Sequence, residues 1–340
     1  MNFKVPFIIA EMSGNHNHSL DRALKIVDAA ADVGVSALKL QTYTPDTMTL
    51  DIAEGEFFIS DPNSLWQGES LYQLYSKAHT PWEWHKAIFD RCKERGIIGF
   101  SSPFDDTAVD FLETLDVPLY KIAAFENGDI PLLKKIASTG KPVIISLGMI
   151  TPAEIEEAVL TLKNYGCNDI TLLKCTSTYP ASPADTNLLT ISDLKKRFPQ
   201  CRIGLSDHTS GIGIALGAVA LGAEVIEKHF TLSRSEGGVD SAFSLEPEEM
   251  KQLVREAKAV YQATGSVSYE LSEAEKRSLI FRRSVYVVKD IKNGECFTRE
   301  NLRCIRPGAG CHPRFYETLL GKSAVSDLNK GTPMKLEYAK

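Results

Sequence analysis

The sequence lacks the features that mark disulfide-bonded, membrane-spanning and nucleic-acid-binding chains. Its seven cysteines are scattered, with no Cys-x-x-Cys pair, which is typical of reduced thiols in a cytoplasmic protein. The opening residues "MNFKVPFIIAEM" show no signal peptide, and the uncharged stretch 211–223 is too short to span a bilayer. The net charge is −6 without a long Lys/Arg run, which argues against a nucleic-acid or anionic-membrane partner. We therefore expect a soluble cytoplasmic protein.

A dinucleotide-binding glycine motif is also absent after the first apolar run, which disfavours a doubly wound open sheet. Short aliphatic runs instead alternate with amphipathic helical segments, a pattern that favours a parallel sheet buried on both faces. Eight such units within roughly 265 residues predict an α/β fold, a (β/α)8 TIM barrel. The eight runs are 5–11, 36–43, 96–102, 118–125, 141–148, 170–177, 201–208 and 223–230. The clearest helical segments are 19–34, 106–115, 152–166 and 212–222.

Capping boxes mark three predicted helix starts, "TPWE" at Thr80, "TPAE" at Thr151 and "SEAE" at Ser272. A long insertion, residues 44–80, follows the second strand, and all three tryptophans fall in it or just after it. Such a loop serves as a lid or substrate wall, or its aromatic side chains form a local core that holds it in place. Both interpretations stay open at this stage.

The pattern changes from about residue 283 to short strands and turns, with "KNGE" as a tight turn. A charged helical segment precedes this region. We therefore expect a barrel domain at 1–266, a linker helix at 267–282 and a small β-rich domain at 283–340.

Charged residues end several predicted barrel strands, where a plain barrel interior would hold Val, Ile and Leu. The charged residues are Glu11, Lys39, Lys121 and Glu227, and Gln41 shares the face of Lys39. Burying isolated charges costs several kcal/mol each unless they are paired. Because active sites of such barrels lie at the C-terminal ends of the strands, we expect a polar ligand site there.

Two histidines, His208 and His229, end the adjacent seventh and eighth strands, about 5 Å apart across the ladder. Two imidazoles with open positions suit Mn²⁺, Fe²⁺ or a similar cation that also takes oxygen ligands. A single buried histidine is more often a hydrogen-bonded core residue. The spacing alone leaves the metal and core interpretations balanced.

Lys39 and Lys121 are candidate anchors for phosphate or carboxylate, or one of them is a Schiff-base lysine. The hydroxyl-rich segments "SS" (101–102) and "CTSTY" (175–179), with Ser206, favour an anion cradle. The stretch "RPGAG" (306–310), taken by itself, is typical of an ordinary surface loop.

The ordered motifs together resemble the sialic acid synthase family over nearly the whole chain. They are "IIAEMSGNHN", "LKLQTY", "SSPFD", "YKIAAFE", "KCTSTYP", "GLSDHT", "VIEKHFTL" and "IRPGAG". This resemblance implies a TIM barrel with a C-terminal antifreeze-like (SAF) domain. It also implies condensation of phosphoenolpyruvate with an N-acetylated sugar to a 2-keto-3-deoxy acid, with release of phosphate. "EMSGNHN", "PNSLW", "HTPWEWH" and "GVDSAFSLEP" look most like the pseudaminic acid synthase branch.

The resemblance also implies roles for individual residues and a homodimer. His208 and His229 would bind a divalent metal, Mn²⁺ or Mg²⁺. Lys39 and Lys121 would bind phosphoenolpyruvate, and Ser102, Ser177, Tyr179 and Ser206 would contact its phosphate and carboxylate. Gln41, Glu126 and Asp240 would line the sugar end, with Glu126, Lys121 and Asp240 as catalytic residues. Arg306 would reach the partner subunit's barrel and meet the N-acyl group of the sugar.

Several positions depart from the family pattern. Ala124, Ser177 and Asn17 stand where neuraminate synthases carry Ser, Asn and Glu. Ser102 replaces a frequent Thr, and Leu147 stands where the family usually has Thr. We therefore expect a pseudaminic acid synthase, with a neuraminate or legionaminate synthase as the alternative. A Schiff-base aldolase is a more distant alternative, and a sugar- or ice-binding module is suggested by the small domain alone.

Overall fold

The computed structural model describes residues 6–62 and 64–340. Eight parallel strands close into a barrel in sequence order, with β1 paired to β8. They are β1 (Phe7–Glu11), β2 (Ala37–Thr42), β3 (Ile98–Pro103), β4 (Tyr120–Ile122), β5 (Val143–Leu147), β6 (Ile170–Cys175), β7 (Arg202–Asp207) and β8 (Val225–His229). The predicted TIM barrel is confirmed, and the open sheet is excluded.

A helix follows each barrel strand, and two additional helices lie in the insertion after β2. The barrel helices are α1 (Leu20–Asp32), α4 (His85–Glu94), α5 (Asp106–Thr114), α6 (Ile130–Ala137), α7 (Pro152–Asn164), α8 (Leu189–Arg197), α9 (Gly213–Ala220) and α10 (Pro247–Thr264). The insertion contains α2 (Pro45–Met48) and α3 (Leu71–Ala78). Within residues 6–62 and 64–340, no helix is both long and apolar enough to cross a membrane.

Side-chain alternation along the strands builds two apolar layers. One layer fills the barrel interior below the charged residues and includes Phe7, Phe100 and Leu173. The larger layer lies between the strands and the helices, and Leu147 of β5 belongs to it. Leu147 thus faces the helices, where an apolar side chain packs well and a hydroxyl is not needed.

Two of the three predicted capping boxes form, at Thr151 and Ser272. The prediction at Thr80 is wrong, because Pro81 is extended and only a 3₁₀ turn, Trp82–Trp84, precedes α4. The Thr80 hydroxyl is fully buried and lies 3.2 Å from His16 Nε2 instead. The sequence around Thr80 matches the capping pattern, but the Thr80 hydroxyl bonds to a residue far away in the sequence.

The chain divides after Gly265 into two compact units, of which the second is Ser266–Lys340. This unit contains α11 (Glu273–Ser278), the antiparallel pair β9 (Ser284–Val287) and β10 (Leu302–Ile305), and α12 (Tyr316–Leu319). Its own small core includes Val285, Phe297, Leu302 and Met334. The sequence-based boundaries at 266 and 283 stay predictions.

Candidate active site

Four charged side chains meet inside the barrel, above the apolar layer. Lys39 Nζ lies 2.5 Å from Glu11 Oε2 and 3.9 Å from Glu227 Oε1, and Lys121 Nζ lies 3.4 Å from Glu227 Oε1. All four side chains are at most 6% exposed, so each charge is paired in a low-dielectric setting. We refer to these four residues as the charge quartet.

The two carboxylates of the charge quartet differ in their proton affinity. Burial and the neighbouring Glu227 charge raise the pKa of Glu11, although Lys39 opposes them. Burial also acts to raise the pKa of Glu227, but Lys121 and Lys39 together hold it below its ordinary value. Glu227 is therefore the stable counter-charge of the two lysines.

Hydroxyl and amide groups surround the charge quartet. Lys39 Nζ donates to Ser102 Oγ at 3.4 Å, and Lys121 Nζ donates to Ser146 Oγ at 2.8 Å. Ser206 Oγ donates to Glu227 at 3.2 Å, and Gln41 Nε2 donates to Glu11 at 3.0 Å. The structure therefore brings Lys39, Lys121, Gln41, Ser102 and Ser206 together at one end of the barrel.

The two histidines converge at the ends of β7 and β8, with ring centroids 5.4 Å apart. His208 Nδ1 lies 3.0 Å from the Thr176 carbonyl oxygen, which can only accept, so Nδ1 carries a proton. In the neutral ring, Nε2 then keeps its lone pair. His229 Nδ1 is buried, and the residues that the structure describes offer it no hydrogen bond. Burial and the positive charge of Lys39 keep the pKa of His229 well below its ordinary value.

This donor set fits a divalent cation. Neutral imidazole is the form that binds metals. A carboxylate is also nearby, since Asp240 lies 3.8 Å from His229 Nδ1. Ser13 Oγ donates a short hydrogen bond to Asp240. In the described part of the chain, no group of three or more His, Cys, Asp or Glu residues could hold a metal by itself. A cation bound to His208 and His229 would therefore complete its shell with oxygens of substrate and water.

Glu126 lies in the turn after β4, because β4 ends at Ile122 rather than running to residue 125 as predicted. Its Oε2 atom is buried and makes no hydrogen bond to any described residue. Burial raises its pKa to about 7, with Lys121 opposing. A carboxyl group with such a pKa can exchange a proton near neutral pH.

The remaining predicted residues of the barrel lie beside the histidines. The Tyr179 ring is 4.6 Å from that of His208, centroid to centroid, and burial raises the pKa of its hydroxyl. Ser177 Oγ lies 3.5 Å from Cys175 Sγ. Arg306 is instead in the second unit, exposed in the loop after β10.

A cavity of about 410 Å³ opens beside these groups. Its polar lining includes Ser13, Gln41, Glu126, Ser177, His229 and Asp240. Residues of the insertion, including Met48, Ile59, Trp66 and Leu74, also line this cavity. Trp66 of the insertion is also held in place, since its indole N–H donates to the Val239 carbonyl at 3.2 Å.

Sequence reasoning missed several polar residues of this site. Ser146 receives the hydrogen bond of Lys121, and Asn127 Nδ2 donates to the carbonyl oxygens of Ser146 and Gly148 at 3.1 and 2.8 Å. Cys175 lies 3.9 Å from His208 Nδ1. Ser146 could have been found from the sequence, because it alternates with Leu147 along β5 and so points into the barrel.

Comparison with known proteins places this site in a family. A model of the NeuB family matches residues 26–269, and a model of the SAF domain matches residues 282–336. A pseudaminic acid synthase of Campylobacter jejuni subsp. jejuni is 44% identical over 332 residues, covering 98% of this chain and 96% of the relative. A pseudaminic acid synthase of Helicobacter pylori is 42% identical over 334 residues, covering 98% and 97%.

A solved structure of a related synthase also resembles this chain. The N-acetylneuraminic acid synthetase of Leptospira borgpetersenii, in complex with citrate, superposes with a TM-score of 0.73 at 33% identity. The match covers 81% of this chain and 90% of that one. The resemblance drawn from the sequence motifs is thereby confirmed. The chain belongs to the NeuB family and carries a SAF domain in its C-terminal part.

Proposed function

We propose that this protein is a pseudaminic acid synthase. It condenses phosphoenolpyruvate with 2,4-diacetamido-2,4,6-trideoxy-L-altrose and water, and it releases pseudaminic acid and phosphate. The similarity to pseudaminic acid synthases over 98% of the chain supports this assignment. The observation that carries it is the placement of two buried lysines, two histidines and Glu126 around one end of the barrel.

The charge quartet and its hydroxyl groups suit phosphoenolpyruvate. Lys39 and Lys121 are fixed by Glu11 and Glu227, and Ser102, Ser146 and Ser206 supply further polar contacts. Preorganised cations of this kind neutralise phosphate and carboxylate without reorganising during the reaction. The sugar occupies the neighbouring cavity, with its aldehyde toward the histidines.

The reaction forms one carbon–carbon bond and breaks one carbon–oxygen bond. C3 of phosphoenolpyruvate attacks the aldehyde carbon, and positive charge develops at C2. Water adds at C2, and the tetrahedral intermediate expels phosphate with its bridging oxygen. Glu126 takes the proton of the water, a role that matches its pKa of about 7. Asp240, fixed by Ser13, orients the sugar hydroxyls.

His208 and His229 are the residues that would hold the metal, for which we propose Mn²⁺ or Mg²⁺. When bound, the cation supplies Lewis-acid polarisation of the aldehyde oxygen. Both imidazoles are buried, and His208 is oriented by its bond to Thr176 O. This orientation leaves Nε2 of His208 free to bind the metal.

We also propose a homodimer in which Arg306 reaches the partner subunit's barrel and contacts the N-acyl group of the sugar. Support comes from the exposure of Arg306 and from the resemblance of "IRPGAG" to the family motif. A guanidinium group donates well to an amide carbonyl oxygen.

Phosphate release from phosphoenolpyruvate, measured with a panel of sugars, tests the assignment. The panel contains 2,4-diacetamido-2,4,6-trideoxy-L-altrose, its mannose isomer and N-acetylmannosamine. We expect the altrose sugar to give the highest kcat/KM, and preference for another member would assign the enzyme to the legionaminate or neuraminate type. Borohydride trapping of a lysine adduct would instead favour a Schiff-base aldolase.

A further inference from the structure

The cavity has two chemically different sides. Eight residues of the insertion line the cavity, among them Ser64, Trp66 and Ala78, and we call the other five the apolar wall. They are Met48, Ile59, Leu71, Leu74 and Tyr75. The aliphatic members offer no hydrogen-bonding group, so this side of the cavity differs from the polar surfaces that sugars usually meet.

A hydroxyl group against the aliphatic members of the wall would lose its water without gaining a partner, which disfavours binding. A methyl group at the same place would instead remove apolar surface from water on both sides. The aliphatic part of the wall therefore favours a substrate that ends in methyl groups there.

The aromatic member of the wall adds one polar group. Within residues 6–62 and 64–340, the hydroxyl of Tyr75 forms no hydrogen bond, and neither does that of its neighbour Tyr43. The two rings lie 5.8 Å apart in an edge-to-face arrangement. A free hydroxyl beside aliphatic side chains matches an acetamido group, which joins a hydrogen-bonding amide to a methyl group.

Resting on the proposed function, we propose that the apolar wall binds the end of the sugar remote from its aldehyde and selects its methyl-terminated substituents. These substituents are the C6 methyl group and the 4-acetamido group. Ile59 and Leu74 contact the methyl groups, and Tyr75 donates to the amide. The wall thereby discriminates against a sugar with hydroxyl groups at C4 and C6.

The test compares two sugars on the full-length enzyme. Phosphate release gives kcat/KM for 2,4-diacetamido-2,4,6-trideoxy-L-altrose and for 2-acetamido-2-deoxy-L-altrose, which has hydroxyls at C4 and C6. We expect the wild-type ratio to exceed about 100, because methyl and hydroxyl differences in apolar pockets give about 10- to 200-fold discrimination. Ile59→Thr should lower the ratio about tenfold. Tyr75→Phe should lower kcat/KM for the diacetamido sugar about fivefold and lower the ratio between the two sugars.

Two features keep the outcomes distinct. Both variants should fold, because Ile59 is partly exposed and Phe nearly keeps the volume of Tyr75. Leu50→Thr is the control, because Leu50 is 59% exposed in the same insertion. An unchanged ratio in Ile59→Thr and Tyr75→Phe, or a wild-type preference for the dihydroxy sugar, would overturn the role of the wall alone. Absence of phosphate release with both sugars would overturn the proposed function as well.

Discussion

The imidazole rings of His208 and His229 lie 5.4 Å apart, centroid to centroid, at the ends of two hydrogen-bonded parallel strands. Ser206 pairs with Glu227, and Asp207 pairs with Lys228. The next residue after each member of the second pair is a histidine, His208 after Asp207 and His229 after Lys228. The side chains just before them, Asp207 and Lys228, point away from the site and form a buried ion pair at 2.9 Å. Alternation along two strands therefore separates a structural pair from a candidate metal pair.

Loss of either histidine should abolish high-affinity metal binding. For His208→Ala and His229→Ala, we expect Kd for Mn²⁺, measured by calorimetry on the chelator-treated enzyme, to rise by more than the roughly 10- to 100-fold typical of outer-shell partners. Metal-supported phosphate release should fall in parallel. His312→Ala, which removes an exposed histidine of the second unit, serves as the control. Unchanged Mn²⁺ affinity in both barrel variants would contradict the metal assignment.

Glu126 should set the acidic limb of the pH profile. Its pKa of about 7 means that the carboxyl is protonated below neutrality and ionised above it. If it accepts the proton of water, kcat/KM should rise with pH through about 7 and then level off. Glu126→Gln should lower kcat about 10²- to 10⁴-fold and remove this limb, with KM for phosphoenolpyruvate little changed. A limb that persists in the glutamine variant would assign the titration to another group.

Lys121 should be needed for both stability and phosphoenolpyruvate binding, and the two effects can be separated. Lys121→Met leaves Glu227 with fewer partners, so we expect a loss of about 3 kcal/mol in the free energy of unfolding, measured in urea. The double variant Lys121→Met with Glu227→Gln should recover most of that stability. It should still bind phosphoenolpyruvate poorly in a calorimetric titration. Recovery of binding in the double variant would mean that Lys121 acts only as the partner of Glu227.

Arg306→Ala should raise KM for the sugar far more than KM for phosphoenolpyruvate. The neighbouring exposed residue Arg303, on β10, provides the control variant Arg303→Ala. A mixture of Arg306→Ala and His208→Ala chains, assayed at a sugar concentration at which neither variant alone turns over, then tests the reach across the dimer. If Arg306 serves the partner's barrel, equal mixing should restore about a quarter of wild-type activity, because about half the dimers carry one complete site. No recovery after verified subunit exchange would place Arg306 outside the partner's site.

The sequence predicted the barrel because its cause is local and repeated. Eight apolar runs alternate with amphipathic helices, and each strand buries both faces, so the pattern survives without knowledge of tertiary contacts. The boundaries of β4 were harder to predict from the sequence. Only Tyr120–Ile122 form that strand, and the following residues turn, which places Glu126 at the cavity.

Other features depended on contacts that no local pattern contains. Thr80 matched a capping box but bonds to His16 across 64 residues of sequence. The pairing of Lys121 with Ser146 requires β4 and β5 to lie side by side in the barrel. The apolar wall around Leu74 forms only when the insertion meets the strand ends. The family resemblance named most of the candidate site residues, while their roles stay predictions until variants are measured.

The fate of water oxygen tests the central claim most directly. The enzyme is supplied with phosphoenolpyruvate and 2,4-diacetamido-2,4,6-trideoxy-L-altrose in H₂¹⁸O, and both products are analysed by mass spectrometry. Attack of water at C2 followed by carbon–oxygen cleavage places the label in the keto acid and leaves the released phosphate unlabelled. Label in the phosphate would show that water attacks phosphorus, and it would contradict the account.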